Sequence, residues 1–196
     1  MLATLPINQT RIYNSGIVPL LLKISPQSGT FRVNCGTVQL ATSIAAVFRN
    51  LSLSVENRSK MNNDGVVPVL VRIILESEDR ESQEHAVAVL LNMVIEPVNR
   101  TVQFVNHVAD VVLLLLNDSH CPSLVAEFAT GIVVALTVPG SGSNDRVLLD
   151  YKLFTPVLLQ SLLFATLRGK NFIARCFWNF ALVEANREAL VDMGVV

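Results

Sequence analysis

The sequence predicts an all-α protein built as a solenoid of three-helix repeats. Three observations lead to this prediction. A short string that pairs an Asn with a Gly eight residues later returns along the chain. The copies begin 42 to 49 residues apart, which is the period of helical solenoids. The stretch that precedes most copies carries apolar residues at helical spacing, with Ala or Gly where helices would pack closely.

The best-preserved copy predicts the helices of one repeat. Asn57 lies eight residues before Gly65, and "GVVPVLV" begins at that Gly. Gly readily adopts the left-handed conformation that ends a helix, and Pro is tolerated in the first turn of the next one. We therefore predict short helices over residues 57–63 and 68–75, followed by a longer third helix over residues 82–94.

The string occurs four more times, twice in a weaker form. Successive copies begin 49, 42, 45 and 42 residues apart, at Asn8, Asn57, Asn99, Asn144 and Asn186. His107 stands in the Gly position of the third copy, and Lys152 in that of the fourth. We predict longer loops where Pro, Gly and Ser cluster, at residues 25–36 and 139–143. The predicted joints lie near residues 8–19, 57–68, 99–110, 144–156 and 186–196.

Residues 55–93, "VENRSKMNNDGVVPVLVRIILESEDRESQEHAVAVLLNM", resemble an armadillo repeat along their whole length. They share its Asn-Arg start, its Gly-x-x-Pro joint, its acidic turn and the Asn before the end of the last helix. HEAT repeats have a similar period without this joint. The resemblance implies one right-handed solenoid over residues 1–196, with about three full repeats and partial repeats at both ends. Since the chain opens and stops inside repeats, we expect a fragment of a longer array.

The resemblance also implies a binding function. In armadillo proteins, an Asn late in each third helix holds the backbone of an extended peptide in the concave groove. The matching residues here are Asn50, Asn92 and Asn179, while Ala135 takes this position in the third full repeat. An amide suits that role because it offers donors and an acceptor to a peptide unit. The alternative is that each Asn bonds nearby backbone at a helix end. A non-enzymatic scaffold that binds a protein or extended peptide is therefore expected.

Two arginines would set the charge of the partner. Nuclear-import receptors of this family carry a Trp one turn before the groove Asn, where this chain has Ala46, Ala88, Gly131 and Arg175. Arg175 would place a cation in the groove, as in β-catenin-like proteins that bind acidic partners. Arg49, next to Asn50, would add to it, unless it lies along a helix surface. Trp178, the single Trp, is predicted to pack between repeats.

Two other functions stay open at this point. A cargo-recognition module for nuclear import would need an acidic groove and repeated Trp residues, which count against it. The chain could also be the substrate-binding region of a larger enzyme, such as a ubiquitin ligase with armadillo repeats. The sequence leaves the partner's identity and the oligomeric state open.

Composition excludes several classes of protein. The chain has 15 Lys and Arg against 16 Asp and Glu, so it lacks the bulk charge that attracts nucleic acid. Its long uncharged runs, such as residues 128–144 and 153–167, fall short of the roughly 20 apolar residues of a membrane span. No signal peptide is apparent. We expect an intracellular, cytoplasmic protein, with the nucleus, cilium or cytoskeleton as alternatives.

No residue pattern predicts catalysis, a metal or a cofactor. The three cysteines lack metal-ligand spacing, and the histidines are scattered. His120 and Cys121 are adjacent, but contiguous residues rarely hold the geometry of a Cys-His nucleophile. We therefore expect packing thiols, no enzyme activity and no cofactor. The residues concerned are Cys35, Cys121, Cys176, His85, His107 and His120.

Overall fold

The computed structural model describes residues 6–26, 35–138 and 149–195, and within these ranges the chain is helical with no strand. The predicted loops at 25–36 and 139–143 therefore lie mainly outside the described residues, as does Asn144. The helices are α1 (Pro6–Asn14), α2 (Ile17–Ile24), α3 (Cys35–Leu51), α4 (Val55–Asn63), α5 (Val66–Glu76), α6 (Arg80–Val94), α7 (Val102–Asn117), α8 (Ser123–Thr137), α9 (Tyr151–Ser161), α10 (Leu167–Leu182) and α11 (Arg187–Asp192), with 3-10 turns at Pro97–Asn99 and Glu184–Asn186.

The chain divides into two compact units, residues 1–104 and 105–196. A single solenoid over residues 1–196 stays a prediction. In the first unit, α6 packs against both α3 and α5. In the second unit, α10 packs against α8 and α9. We call α3, α6, α8 and α10 the third helices, because each occupies the third position predicted for its repeat.

Each unit has a core of apolar side chains from these helices. In the first unit Phe48, Leu70 and Leu90 are fully buried. In the second unit Ile132 and Phe180 are fully buried in the same way. Burial of each such side chain contributes about 1.5–3 kcal/mol to folding. These buried apolar side chains therefore account for the packing between the helices within each unit.

The repeat at residues 55–94 has the three predicted helices, and each begins two residues before its predicted start. Helix α5 buries one face through apolar residues at helical spacing, namely Val66, Val69, Leu70, Ile73 and Ile74. Helix α6 begins at a side-chain cap, because the carboxylate of Asp79 accepts a hydrogen bond from the backbone N–H of Ser82 at 2.8 Å. Such caps satisfy a backbone donor that has no partner inside the helix.

The predicted glycine joints have left-handed backbone. Gly16, Gly65 and Gly194 have φ values of 81°, 83° and 81°. Among the described residues, every residue that is not glycine has a negative φ. Gly65 separates α4 from α5 directly. A side chain in this conformation costs about 1–2 kcal/mol, because its β-carbon approaches the following carbonyl oxygen. The glycine therefore permits the sharp turn between the first and second helices.

The copy of the joint without glycine forms a different structure. Residues 102–117 form one continuous helix, α7, through His107. His107 has a β-carbon, so the left-handed turn would be unfavourable there and the helical conformation continues. The expected pair of short helices is thus replaced by one long helix. Lys152, in the Gly position of the fourth copy, lies within the first turn of α9. Asp150 caps this helix, because its carboxylate accepts a hydrogen bond from the backbone N–H of Lys152.

The repeated Asn caps the helix that precedes it. In three copies its side-chain amide donates to the carbonyl six residues earlier, in the last turn of a third helix. The bonds run from Asn57 to Leu51 (3.0 Å), from Asn99 to Met93 (3.0 Å) and from Asn186 to Phe180 (3.1 Å). Each of these carbonyls also accepts a backbone N–H from the residue three positions later, so the amide adds a second hydrogen bond at the end of the helix. The Asn therefore stabilises the turn that follows the third helix, and it does not mark the first residue of the next helix.

The Arg that follows each Asn makes the equivalent bond one residue later. In all three copies its Nε–H donates to the carbonyl six residues earlier. The bonds run from Arg58 to Ser52 (2.8 Å), from Arg100 to Val94 (2.8 Å) and from Arg187 to Ala181 (2.9 Å). Arg58 also pairs with Glu96 at 2.7 Å. In these three copies the Asn-Arg pair is therefore a two-residue cap on the preceding third helix.

Candidate functional site

The residues expected to bind a partner lie near the ends of third helices. Asn50 is on α3 and Asn92 on α6, both in the first unit, while Asn179 is on α10 in the second unit. All three side chains are partly exposed. Ala135 has the same place on α8.

Asn92 is held by a hydroxyl of the neighbouring third helix. Its amide Nδ2 donates to the hydroxyl oxygen of Ser52, at the end of α3, over 2.9 Å. That hydroxyl itself donates to the backbone oxygen of Arg49 at 2.8 Å. The hydroxyl therefore has a defined orientation, which fixes the plane of the Asn92 amide. The amide oxygen of Asn92 accepts no hydrogen bond from a described residue.

Asn179 repeats this arrangement in the second unit. Its Nδ2 donates to the hydroxyl oxygen of Thr137, at the end of α8, over 3.0 Å, and lies 3.5 Å from the carbonyl oxygen of Val134. The Thr137 hydroxyl donates to Val134 at 3.0 Å, as the Ser52 hydroxyl does to Arg49. The amide oxygen of Asn179 is likewise unpaired among the residues described. Each Asn is thus bonded to the preceding third helix, and not to backbone at its own helix end.

Asn50 differs from the other two. Its side chain has no hydrogen bond within the part of the chain that the structure describes. It is partly exposed on α3, whose following residue Leu51 is fully buried. Asn50 therefore keeps its donors and its acceptor available, but without the hydroxyl that orients Asn92.

Arg49 is engaged within the first unit. Its guanidinium Nη1 lies 3.0 Å from Nδ1 of His85, across the α3–α6 pair. Since the guanidinium can only donate, Nδ1 must accept and the ring proton must lie on Nε2. Nε2 in turn is 3.6 Å from a carboxylate oxygen of Glu81. Arg49 therefore bridges two third helices, although its charge remains near the position of Asn50.

Arg175 is exposed on α10, and its side chain has no hydrogen bond or ion pair with a described residue. It lies one turn before Asn179, so the two side chains are neighbours on one face of the helix. Helix α10 contains three basic residues, Arg168, Lys170 and Arg175, and no acidic one. Arg175 therefore places one unpaired positive charge next to Asn179.

The prediction for Trp178 is not met among the repeats that the structure describes. It was expected to pack between repeats, whereas 69% of its surface is exposed on α10. The reason is its direction on the helix: Phe180 and Cys176, two residues to either side, face the core and are fully buried. Within the second unit no helix covers the face of α10 that carries the indole. Periodicity alone did not show which apolar residues of this helix would find a neighbour.

Each pair of third helices is also joined at its other end. In the first unit, the hydroxyl of Thr42 on α3 lies 2.9 Å from the carboxylate of Asp79, the residue that caps α6. In the second unit, the hydroxyl of Thr166, which caps α10, donates to Glu127 on α8 at 2.6 Å. These ties place the helix that carries Asn92 or Asn179 against its neighbour. Sequence reasoning missed them because their partners are about 40 residues apart.

Comparison with known proteins agrees with this architecture. The family model of the Armadillo/beta-catenin-like repeat matches residues 54–95. A crystal structure of computationally designed armadillo repeat proteins for modular peptide recognition is similar over 100% of this chain and 78% of its own, with 15% identity and a TM-score of 0.76. The chain has the armadillo-repeat fold. The predicted fold class is confirmed, and so is the resemblance on which it was based.

A second solved structure supports the armadillo fold. An engineered protein from a structural genomics consortium is similar over 98% of this chain and 74% of its own, with 20% identity and a TM-score of 0.71. A search of curated protein sequences finds no significant match. At these identities the likeness concerns the armadillo backbone, and the side chains that would meet a partner have to be judged from this chain itself.

Outside these residues, the part of the chain that the structure describes offers little that resembles a catalytic centre. Among the described residues, no group of His, Cys, Asp and Glu could hold a metal ion. None of the described helices has the length and apolar character needed to cross a bilayer. Burial raises the pKa of the Cys121 thiol to about 11, and Asp118 adds to this effect. Burial also raises the pKa of Cys176. Both thiols are therefore protonated near neutral pH, unlike the thiolate of a nucleophilic cysteine.

One cavity lies in the second armadillo unit, between the ends of α7 and α9 and the starts of α8 and α10, with a volume of about 100 Å³. Glu127 and Thr166 line it together with Phe164 and Leu116. The carboxylate of Glu127 is already bonded to Thr166, and it pairs with Arg168 at 3.2 Å. Glu127 and Thr166 thus serve the tie between α8 and α10.

Proposed function

We propose that this armadillo chain is a non-enzymatic scaffold that binds an extended segment of a partner protein along the last turns of its third helices. Asn92 and Asn179 would hold the partner's backbone, and Asn50 would extend the contact in the first unit. Arg175, with Arg49, would favour acidic side chains. An intracellular location and the concave groove itself remain part of this proposal.

The observation that carries the proposal is the hydrogen bonding of the side-chain amides of Asn92 and Asn179. A hydroxyl of the preceding helix orients Asn92 and Asn179, and the amide oxygen of each is left without a partner among the described residues. A peptide N–H is the natural donor for such an oxygen. Because the amides are already oriented, binding would require little further loss of side-chain entropy.

The likeness to designed armadillo proteins for modular peptide recognition supports the same type of ligand. The position where import receptors carry Trp is occupied by Ala88 on α6 and by Arg175 on α10. Arg175 would repel the basic signals that such receptors recognise. We therefore favour an acidic partner over a nuclear-import cargo.

The test is a peptide-array screen of the wild type against the triple variant Asn50→Ala/Asn92→Ala/Asn179→Ala. We expect the triple variant to lose binding at least about tenfold, because each amide contact is worth on the order of 1 kcal/mol. The matched control is Asn63→Ala/Asn106→Ala, which removes two exposed amides from α4 and α7. Circular dichroism and thermal unfolding would confirm that both variants fold.

A second measurement addresses the partner's backbone. Methylating single backbone nitrogens of a peptide that binds removes the donors that the Asn oxygens would accept. We expect weaker binding at only some positions, and the triple variant should no longer distinguish these positions. Unchanged binding by a folded triple variant would show that a different surface meets the partner.

A further inference from the structure

The cavity of the second unit lies at the edge that carries the turns before the third helices. It is enclosed by the ends of α7 and α9 and the starts of α8 and α10, and its volume is about 100 Å³. Gly169 lines it, whereas Asn179 is ten residues further along α10, roughly 15 Å away. The cavity is therefore separate from the Asn positions, and the residues that line it all belong to one unit.

The turn before α10 gives this cavity an apolar rim. Leu163, Phe164 and Leu167 are 75%, 80% and 87% exposed, and Phe164 also lines the cavity. We call these three residues the apolar rim. Large apolar side chains that stay in contact with water beside a cavity are typical of a surface that meets another molecule.

Exposure at this edge is a property of the repeat. Arg80 on α6, Ser123 on α8 and Leu167 on α10 each hold the first position of a third helix, and all three are exposed. Arg80 and Ser123 are exposed although further helices follow them in the chain. The turns before α6 and α8 read "SED" and "DSHCP", whereas the turn before α10 reads "LLFAT". The same solvent-facing position is thus polar in two repeats and apolar beside the cavity.

The walls of the cavity suit one aliphatic side chain. Leu115, Leu116, Ala126 and Ala165 line it with apolar groups. A cavity of about 150 Å³ holds a benzene molecule, so about 100 Å³ suits a smaller apolar group, such as the side chain of a Leu, Ile or Met. Burial of such a side chain is worth about 1.5–3 kcal/mol, which is enough to anchor a partner.

The charges around the cavity balance. The carboxylate of Glu127 pairs with Arg168 at 3.2 Å and accepts a hydrogen bond from Thr166. Asp118 and Lys170, both exposed, add one charge of each sign. A strongly acidic or basic segment gains no net attraction here, and neither does an anionic lipid surface. An uncharged segment is therefore the complementary ligand.

Two polar side chains at the cavity are available to such a segment. Gln160 and Ser123 line the cavity, and neither side chain has a hydrogen bond with a described residue. An amide and a hydroxyl offer donors and acceptors to a peptide backbone, whereas the apolar interior of a bilayer would leave them unpaired. These two groups favour a protein segment over a lipid surface.

We propose that this cavity binds one Leu, Ile or Met side chain of an uncharged segment of a partner protein. The apolar rim would cover the flanks of that side chain, and Gln160 and Ser123 would bond the backbone of the segment. This is a second interface, at the opposite end of α10 from Asn179, and it does not depend on the function proposed for the Asn residues.

A library of short uncharged peptides tests the proposal. Peptides composed of Leu, Ile, Met, Ala, Ser, Asn and Gly are selected on the immobilised full chain, and affinities are measured by the anisotropy of labelled copies. We expect the selected peptides to share one Leu, Ile or Met position, and its replacement by Ser should weaken binding at least about tenfold. Raising the salt concentration should leave the affinity almost unchanged, because the charges around the cavity balance.

Variants of the chain identify the site. Ala126→Leu should weaken binding at least about tenfold, because the added side chain occupies the cavity. Its matched control is Ala174→Leu, the same change at an exposed position of α10 that does not line the cavity. Phe164→Ser should weaken binding as well, and it keeps the test available if Ala126→Leu does not fold. Leu153→Ser, which removes a side chain that is 57% exposed on α9, should have no effect.

Several results would overturn the inference. The first is wild-type affinity in folded Phe164→Ser and Ala126→Leu variants. The second is a selection that yields no peptide, or peptides without a shared aliphatic position. The third is self-association of the free chain that Leu167→Ser abolishes, since a second copy then covers the apolar rim. The fourth is binding to vesicles of phosphatidylserine and phosphatidylcholine that Phe164→Ser abolishes, since the rim then meets a bilayer.

The Asn triple variant separates this inference from the proposed function. It should bind the selected peptides as the wild type does, because the cavity lies at the other end of α10. Loss of these peptides in the folded triple variant would place them at the Asn residues and contradict the inference. Failure of the cavity variants to change binding leaves the proposed function intact, since that function is tested with a different set of peptides.

Discussion

The two units use the same repeat but join its helices differently. In the first unit Gly65 has left-handed backbone, and the chain turns between α4 and α5. Most of α7 belongs to the second unit, where His107 takes the Gly position and the helix continues. A glycine at the joint thus accompanies a turn between two helices, whereas a residue with a β-carbon accompanies one continuous helix. The third helices pack against each other in both units.

The ties between third helices are conserved in position but not in chemistry. At the end near the helix start, Thr42 bonds the capping Asp79 in the first unit, while the capping Thr166 bonds Glu127 in the second. The hydroxyl and the carboxylate have exchanged helices. At the other end an Asn always bonds a hydroxyl. Both helix pairs have a bond at each end, and different residue types supply it in the two units.

The largest expected effect comes from the amide that caps α3 in the first unit. Asn57→Ala should cost about 1–3 kcal/mol of unfolding free energy, because the carbonyl of Leu51 loses the buried amide and keeps only the 3.3 Å bond from the backbone N–H of Ser54. Asn186→Ala should cost less, since that side chain is only partly buried in the second unit. Hydrogen exchange of each unit measures the two losses separately. Exposed Asn63→Ala is the control, and equal losses for Asn57 and Asn186 would contradict the role of burial.

The joint glycine should have the next largest effect. Gly65→Ala is expected to destabilise the first unit by about 1–2 kcal/mol, because alanine is strained at a φ of 83°. His107→Ala should change stability by less than about 0.5 kcal/mol, as it lies inside a continuous helix and is exposed. Denaturant unfolding monitored by circular dichroism tests both. A similar loss from both variants would mean that α7 is as strained at this point as the glycine joint.

The hydroxyl ties should have equal, smaller effects in the two units. Ser52→Ala and Thr137→Val should each cost about 1 kcal/mol, and the side-chain amide NMR signals of Asn92 and Asn179 should shift. Ser161→Ala is a suitable control, because that hydroxyl bonds only the backbone of its own helix. Thr137→Ser keeps the hydroxyl and should leave the Asn179 signal in place. A shift in only one unit would show that the ties are not equivalent.

The smallest effect is a pH dependence in the second unit. Burial raises the pKa of Cys121 to about 11 from an ordinary value of 9.0, so the folded state binds this proton more tightly. The contribution of Cys121 to stability is complete below pH 9 and is lost as the pH rises toward 11. Alkylation followed by mass spectrometry should label Cys121 slowly at pH 8, and fully buried Cys176 only after unfolding. Rapid labelling of both in native buffer would indicate that this unit opens readily.

Much of the fold could be predicted because it depends on local chemistry. The glycine joint, the three helices of residues 55–94 and the period all follow from residue types at short spacing. The role of Asn57 could not be predicted, since the carbonyl that it caps is six residues away across a chain reversal. The candidate site was predicted only as positions, and it stays a prediction. Ser52 and Thr137, which orient the amides, were missed because each acts from the preceding repeat.

The sequence by itself determined the three helices of residues 55–94, with starts within two residues of those observed, because capping residues, glycine and apolar periodicity act within a few residues of the chain. Only the tertiary structure decided which side chains are covered. Phe180 and Trp178 are two residues apart on α10, with similar apolar character, yet one is fully buried and the other is 69% exposed. The difference depends on whether a neighbouring helix lies on that side, and such contacts join residues far apart in the chain.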